Sequence, residues 1–269
     1  MDVLPGRIST SLPVTVSPVQ AELPATDAGL LREQAEYWRE ALADAPEPLE
    51  LPADRPRSAQ PDPTGAALVR LELDEELVTA LKALRLRHGA HISTTLLAGW
   101  AVVLGRLSGQ ADLVIGTSTD SRFENLLPVR VELSGSPTAA ELVGRVEARV
   151  RGALRNQDLP FQRVVELVQP DGAAPSATPL FRAAFAWRDA PESTELCDLQ
   201  IGAAAVEPRL AAGLDLSLEL REEGGGVAGE VVFRAALFER ETVERYAGYL
   251  RRLLAGMAAD ETRPVDRLR

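Results

Sequence analysis

Side chains that commonly carry out acid–base, nucleophilic or metal chemistry are scarce in this sequence. Its 269 residues include one cysteine, Cys197, and two histidines, His88 and His91, which lie close together. A general base needs an orienting partner and a substrate within reach, and nothing in the sequence marks either for this pair. One cysteine and two neighbouring histidines do not make a four-ligand set. We therefore predict no catalytic residue, no metal site and no directly bound cofactor.

Composition narrows the class of protein. The chain is 45% hydrophobic and 26% charged, and its formal net charge is -11. Such a balance predicts a globular protein, and the negative charge disfavours binding to nucleic acid or to anionic membranes. No apolar run is long enough to cross a bilayer. A single cysteine cannot form an internal disulfide, which is typical of a reducing, cytoplasmic compartment.

The first half of the chain alternates between predicted helices and short strands. Residues 1–26 lack periodicity and predict an extended or disordered leader. Helical spacing begins at Asp27 and ends before Pro46. We then predict a strand at 65–73, a helix at 75–88 capped by Asp74, a nearly all-apolar helix at 96–107 opened by Ser93 or Thr94, and strands at 112–118 and 126–133.

The second half ends in a strand-rich region. We predict helices at 138–156 and 161–168, strands at 181–187, 199–206, 214–220 and 227–233, and a final amphipathic helix at 241–257. Helices and strands do not alternate strictly, so the pattern predicts an α+β fold with a mixed sheet flanked by helices. The lobe is expected to span 27–260, followed by a tail at 261–269.

Six short strings occur in the order and spacing of a known family. They are YWREAL (37–42), LPADRPR (51–57), SGQADLVIGT (108–117), NQDLPF (156–161), PLF (179–181) and ALF (236–238). Together they resemble the C-terminal lobe of a condensation domain from nonribosomal peptide synthetases, a family with the chloramphenicol-acetyltransferase-like fold. The resemblance implies a single lobe of that fold and amide-bond formation by acyl transfer as the family's activity.

The family's catalytic lobe, with its two-histidine Asp-Gly motif, has no counterpart in the printed sequence. His88 and His91 have the wrong spacing and are not followed by Asp-Gly. We expect a truncated lobe that is not catalytic alone. By resemblance, Arg122 matches the arginine that pairs with the Asp of the absent motif, and Asn125 takes the family's Asn position after a shortened loop.

Gln157 and Asp158 are the other two residues that we predict at the interface between lobes or in the tunnel. The alternative is a structural role, with Asp158 capping the helix at 161 and Pro160 setting its first turn. Asp112 has two similar interpretations: it binds a ligand, or it belongs to the turn that enters the next strand.

Two functions are consistent with these features, and the third interpretation is an excised fragment or decayed remnant with no task of its own. The first is a non-catalytic binding platform, whose uncovered inner face is apolar and recruits a carrier protein with its phosphopantetheine, a tailoring enzyme or a second copy. The second is half of a split condensation enzyme, in which the missing N-terminal lobe brings the histidine motif.

Overall fold

The computed structural model describes residues 28–57, 65–118, 126–168, 180–188 and 214–268. Within these ranges the helices are α1 (Ala28–Ala41), α2 (Glu75–Arg87), α3 (Ile92–Ser108), α4 (Ala139–Arg155), α5 (Phe161–Val168) and α6 (Arg240–Ala259). The strands are β1 (Ala66–Leu73), β2 (Asp112–Ser118), β3 (Leu127–Glu132), β4 (Ala183–Arg188), β5 (Leu216–Glu223) and β6 (Gly226–Arg234). The predicted leader, Asp27 and the predicted strand at 199–206 lie outside the described residues.

The strands form one mixed sheet in the order β1-β6-β5-β4-β2-β3. The β2–β4 and β4–β5 pairs are parallel, whereas the other three pairs are antiparallel. Strand β3 is an edge, and it contains Pro128, which has no backbone N–H to donate and is tolerated at an edge. The mixed sheet with flanking helices confirms the predicted α+β class.

Local signals in the sequence explain where the helices begin. The side chain of Asp74 accepts from the backbone N–H of Leu77 at 2.9 Å, as predicted. Thr138 and Glu141 form a reciprocal capping box at the start of α4. These caps satisfy backbone N–H groups that lack partners within the helix, and so fix each first turn.

The helix layer packs on one face of the sheet. Helix α6 contacts β1 and β6, α2 contacts β6, α3 contacts β2, and α4 contacts β3. Helix α3 runs through the centre, with Trp100 and Leu104 fully buried, which agrees with its lack of a polar face. No single described helix is long and apolar enough to span a membrane; α2 and α3 pass that test only as a pair, bent by 103° at their junction.

Part of the opposite face of the sheet is also covered. The ring of Phe181 lies against Gly116 of β2, where a side chain would collide with it, and its centroid is 5.2 Å from that of Phe161 in α5, with the two rings tilted by 41°. Ser217 and Glu219, which point away from the helix layer on β5, are both 2% exposed. Among the described residues the exposed large apolar side chains are Leu30, Leu86 and Tyr249, on three different helices. The uncovered apolar face expected for a solitary lobe is therefore not seen in the described part of the chain.

Residues 261–269 are the tail predicted from the sequence. In the structure this segment packs against the lobe as far as residue 268. Val265 donates its backbone N–H to Pro137 at 2.8 Å, and Arg106 of α3 donates to the carbonyl of Leu268 at 2.7 Å. Val265 and Leu268 are each 3% exposed. These contacts tie the end of the described chain to α3 and to the start of α4.

Candidate functional site

The chain direction brings the N-terminus of α3 to the carboxyl ends of two strands. Gly109, with a φ of 73°, reverses the chain between α3 and β2, so helix and strand run in opposite directions. Strand β4 lies parallel to β2, with Phe185 beside Thr117. The start of α3 therefore meets the ends of β2 and β4 at one edge, where α/β sheets commonly hold ligands.

A cavity of about 230 Å³ lies at this edge. Its apolar wall comes from helices α3 and α4 and from strand β4: Leu97, Val150, Leu154, Phe185 and Trp187. Its polar lining comes from the start of α3 and the end of β2: His91, Ser93, Thr94, Thr117 and Ser118. An apolar pocket with a few convergent polar groups is the usual form of a small-molecule site.

His91 is the N-cap of α3, which corrects the prediction that Ser93 or Thr94 opens this helix. Its Nδ1 accepts the backbone N–H of Ser93 at 3.3 Å and lies 2.7 Å from the Ser93 hydroxyl. A backbone N–H can only donate, so Nδ1 carries no proton and the neutral ring is protonated at Nε2. The ring of this cavity-lining residue therefore keeps one N–H, at Nε2, that the helix cap does not use.

Glu147 of the neighbouring helix α4 forms hydrogen bonds with the same end of α3. Its carboxylate accepts the backbone N–H of His91 at 3.2 Å and also binds Thr94 and Arg151. Burial acts to raise the pKa of Glu147, but the hydrogen bonds from Arg151, Thr94 and His91 outweigh it and hold that pKa below the ordinary value. A carboxylate at a helix N-terminus is also favoured by the helix dipole.

This arrangement is structural and does not form an acid–base set. The Glu147 carboxylate is bonded to the backbone of His91, and not to its ring, so it does not orient the imidazole for proton transfer. His88 lies apart at the end of α2, where Nε2 is 3.2 Å from Glu261, which also pairs with Arg87. Within the described residues, no group of three or more His, Cys, Asp or Glu is placed to hold a metal.

The predicted inter-lobe residues are only partly described. Arg122 and Asn125 lie outside the described residues, and their roles stay predictions. Gln157 and Asp158 lie in the exposed turn between α4 and α5, and neither lines the cavity.

The turn that holds Asp158 is fixed by α1 through a residue that the sequence reasoning missed. Gln34, which is 1% exposed, donates to the Asp158 carboxylate at 2.7 Å and accepts the backbone N–H of Leu159 at 2.9 Å. Asp158 lies two residues before Pro160, the last residue ahead of α5, and the contact seen for its carboxylate is with Gln34, so its capping of α5 stays a prediction. The backbone carbonyl of Pro160 accepts from the N–H groups of Arg163 and Val164, which are the first hydrogen bonds of α5.

Asp112 also has a structural role. Its two carboxylate oxygens accept from Arg130 of the neighbouring strand at 2.7–3.2 Å. Arg130 additionally donates to the carbonyl of Ala43 at 2.6 Å. The pair therefore joins β2, β3 and the end of α1, which gives Asp112 a structural contact, between strands, that neither the ligand nor the turn interpretation included.

The fold and the edge cavity define the class as a lobe of the chloramphenicol-acetyltransferase-like kind. The solved complex of the X-domain and OxyB from teicoplanin biosynthesis is similar, with a TM-score of 0.74 and 29% identity over 89% of this chain and 55% of that chain. A four-domain nonribosomal peptide synthetase, AB3403, shares the fold, with a TM-score of 0.74 and 24% identity over 87% of this chain and 20% of that chain.

The sequence comparison identifies the family. The condensation domain model matches residues 25–269, and the chain belongs to the condensation domain family of nonribosomal peptide biosynthesis. Malpinin synthetase of Mortierella alpina is 41% identical over 247 residues, which cover 87% of this chain and 3% of that protein. Isonitrile lipopeptide synthase of Mycobacterium tuberculosis is 34% identical over 251 residues, 87% of this chain and 10% of that protein. The chain thus spans a small fraction of these relatives and about half of the solved X-domain chain.

Proposed function

We propose that this chain is a binding platform in nonribosomal peptide biosynthesis, which recruits a carrier protein or a tailoring enzyme and does not by itself catalyse amide-bond formation. The observation that carries the proposal is the state of His91, the histidine at the cavity. Its Nδ1 is occupied by capping α3, and the neighbouring carboxylate of Glu147 is bonded to backbone. A general base needs a free basic nitrogen and an orienting partner, and among the described residues Nδ1 is engaged and no carboxylate is bonded to the His91 ring.

The similar solved structure supports recruitment. The X-domain from teicoplanin biosynthesis, which is 29% identical to this chain, was solved in complex with a second protein, OxyB. By analogy, this chain would present its surface to a partner protein while the cavity receives the end of a carrier-bound group. The phosphopantetheine would stay on the carrier, and the chain would bind no cofactor of its own.

The cavity favours a second function, half of a split condensation site. It is open, lies at the strand ends and combines an apolar wall with polar groups, as a substrate channel requires. In this alternative another polypeptide segment supplies the histidine motif, which assists an amine in attacking a carrier-bound thioester. This chain would then supply a wall of the channel and Arg122.

Calorimetry and a product assay on the 269-residue protein test both proposals. For the platform, we expect micromolar binding to a carrier domain or tailoring enzyme from the same biosynthetic system, and no amide from aminoacyl carriers. Amide formation by the chain alone, or failure to bind either class of partner, would refute it.

Adding a separately expressed histidine-bearing lobe tests the split enzyme. Amide must then form with both lobes, with neither alone, and not with the Arg122→Ala variant. Lack of product with both lobes would exclude this second function and leave the platform.

A further inference from the structure

We propose that the cavity at the start of α3 selects a bulky apolar or aromatic side chain on an acyl substrate, and that His91 donates a hydrogen bond to the substrate carbonyl. This inference deepens the proposed function, because it names the class of acyl group that a partner would bring. It concerns side chains of this chain and does not depend on a catalytic step.

The size of the cavity suits one side chain. Its volume is about 230 Å³. An apolar cavity of roughly 150 Å³ is enough to hold benzene, whereas pockets for drug-sized ligands start at about 300 Å³. A phenyl or branched alkyl group with an adjoining carbonyl therefore fits, and a larger group would extend out of the mouth.

The wall of the cavity is apolar where the side chain would lie. Leu97 is 1% exposed and Phe185 is 4% exposed, so both have fixed surroundings. Val150, Leu154 and Trp187 are half-buried and complete the wall. Burial of apolar surface against this wall would favour a bulky group over glycine.

The polar groups of the cavity offer hydrogen-bond donors. The Thr117 hydroxyl already donates to the carbonyl of Leu127 at 3.1 Å, and the Thr94 hydroxyl donates to the carboxylate of Glu147. The ring of His91 meets that of Trp187 edge-on, with centroids 6.1 Å apart. Among the described residues, neither the His91 Nε2–H nor the Trp187 indole N–H meets an acceptor. Two N–H donors beside an apolar wall suit a carbonyl oxygen.

The probes are N-acetylcysteamine thioesters of phenylalanine, leucine and glycine, titrated into the 269-residue protein. Binding is followed by the NMR shift of the Trp187 indole N–H, assigned with Trp187→Phe. We expect the phenylalanyl and leucyl thioesters to bind about tenfold or more tightly than the glycyl thioester, since burying a large apolar side chain is worth that much.

Two variants separate the donor from the helix cap. Asn is a good N-cap, so His91→Asn keeps α3 capped but loses the ring donor, and should weaken phenylalanyl binding about two- to tenfold at an unchanged melting temperature. Val150→Phe fills the cavity and should abolish the preference for bulky groups. Circular dichroism confirms that each variant is folded.

Several outcomes would overturn the inference. These are equal affinity for the phenylalanyl and glycyl thioesters, or unchanged affinity in both His91→Asn and Val150→Phe. The proposed function is tested separately through partner binding. Loss of partner binding with the thioester preference intact refutes the platform alone, and the reverse result refutes this inference alone.

Discussion

Replacing Gln34 by alanine should loosen the turn between α4 and α5. Gln34 reaches from α1 across 124 positions of sequence to bind Asp158, and it also accepts the backbone N–H of the buried Leu159. Alanine removes both bonds and leaves the Leu159 N–H without an acceptor. Water cannot replace the lost partner easily, because Leu159 is only 7% exposed.

The expected loss of stability follows from these two bonds. A buried N–H left without a partner costs about 1–3 kcal/mol. The Asp158 carboxylate is exposed and can be hydrated by water, so its lost bond adds less than about 1 kcal/mol. We therefore expect Gln34→Ala to lower the free energy of unfolding by about 2–3 kcal/mol, which corresponds to a melting temperature lower by about 5–10 °C.

Urea unfolding and hydrogen exchange measure the global and the local effect. The amide of Leu159 should be protected in the parent protein and exchange rapidly in Gln34→Ala. The matched control is Asp158→Ala, which keeps the Leu159 bond and should cost less than about 1 kcal/mol. The reasoning is refuted if Leu159 stays protected in Gln34→Ala, or if Asp158→Ala destabilises as much as Gln34→Ala.

Two further predictions concern the contact of Glu147 with the start of α3 and the close approach of β6 to β5 at Gly229. Glu147 has a lowered pKa, so its stabilising contribution is present above its ordinary pKa of 4.5 and is lost as pH falls through the folded value. Glu147→Gln should cost about 1 kcal/mol in urea unfolding at pH 7, and a cost that does not shrink at pH 3.5 would contradict this sign. Gly229→Ala should destabilise by more than about 3 kcal/mol, because a Cβ there would lie 2.9 Å from the Cα of Leu220 and closer still to the carbonyl oxygen of Glu219. The control is Gly144→Ala, in helix α4 with nothing within 4 Å of the new Cβ, which should stabilise by about 0.5–1 kcal/mol; equal effects at the two glycines would refute the steric argument.

The order and type of the described elements could be predicted from sequence, because their signals are local. Apolar residues repeat at helical spacing in α2 and α4, and Asp74 marks the start of α2. The N-cap of α3 was misplaced because Ser and Thr are the commoner caps, and only the orientation of the His91 ring shows that imidazole takes this role.

The site could not be predicted in the same way, because it depends on contacts between distant segments. The cavity is formed by residues from His91 to Trp187, which only the sheet order and the packing of α3 on α4 bring together. The bond from Gln34 to Asp158 leaves no pattern in the sequence. Polar residues in a turn suggested a functional role for Asp158, whereas its observed contact holds the turn in place.

The sheet order has a consequence for how this protein is synthesised. Strand β1 pairs with β6, so that Leu71 lies opposite Gly229. Until the ribosome has released residues up to Arg234, β1 lacks its neighbour, and its backbone groups are open to pairing with other chains. Contacts so distant in sequence slow folding, and a partly made chain with an open strand edge is prone to aggregate. Slower translation or added chaperone should therefore raise the yield of folded protein.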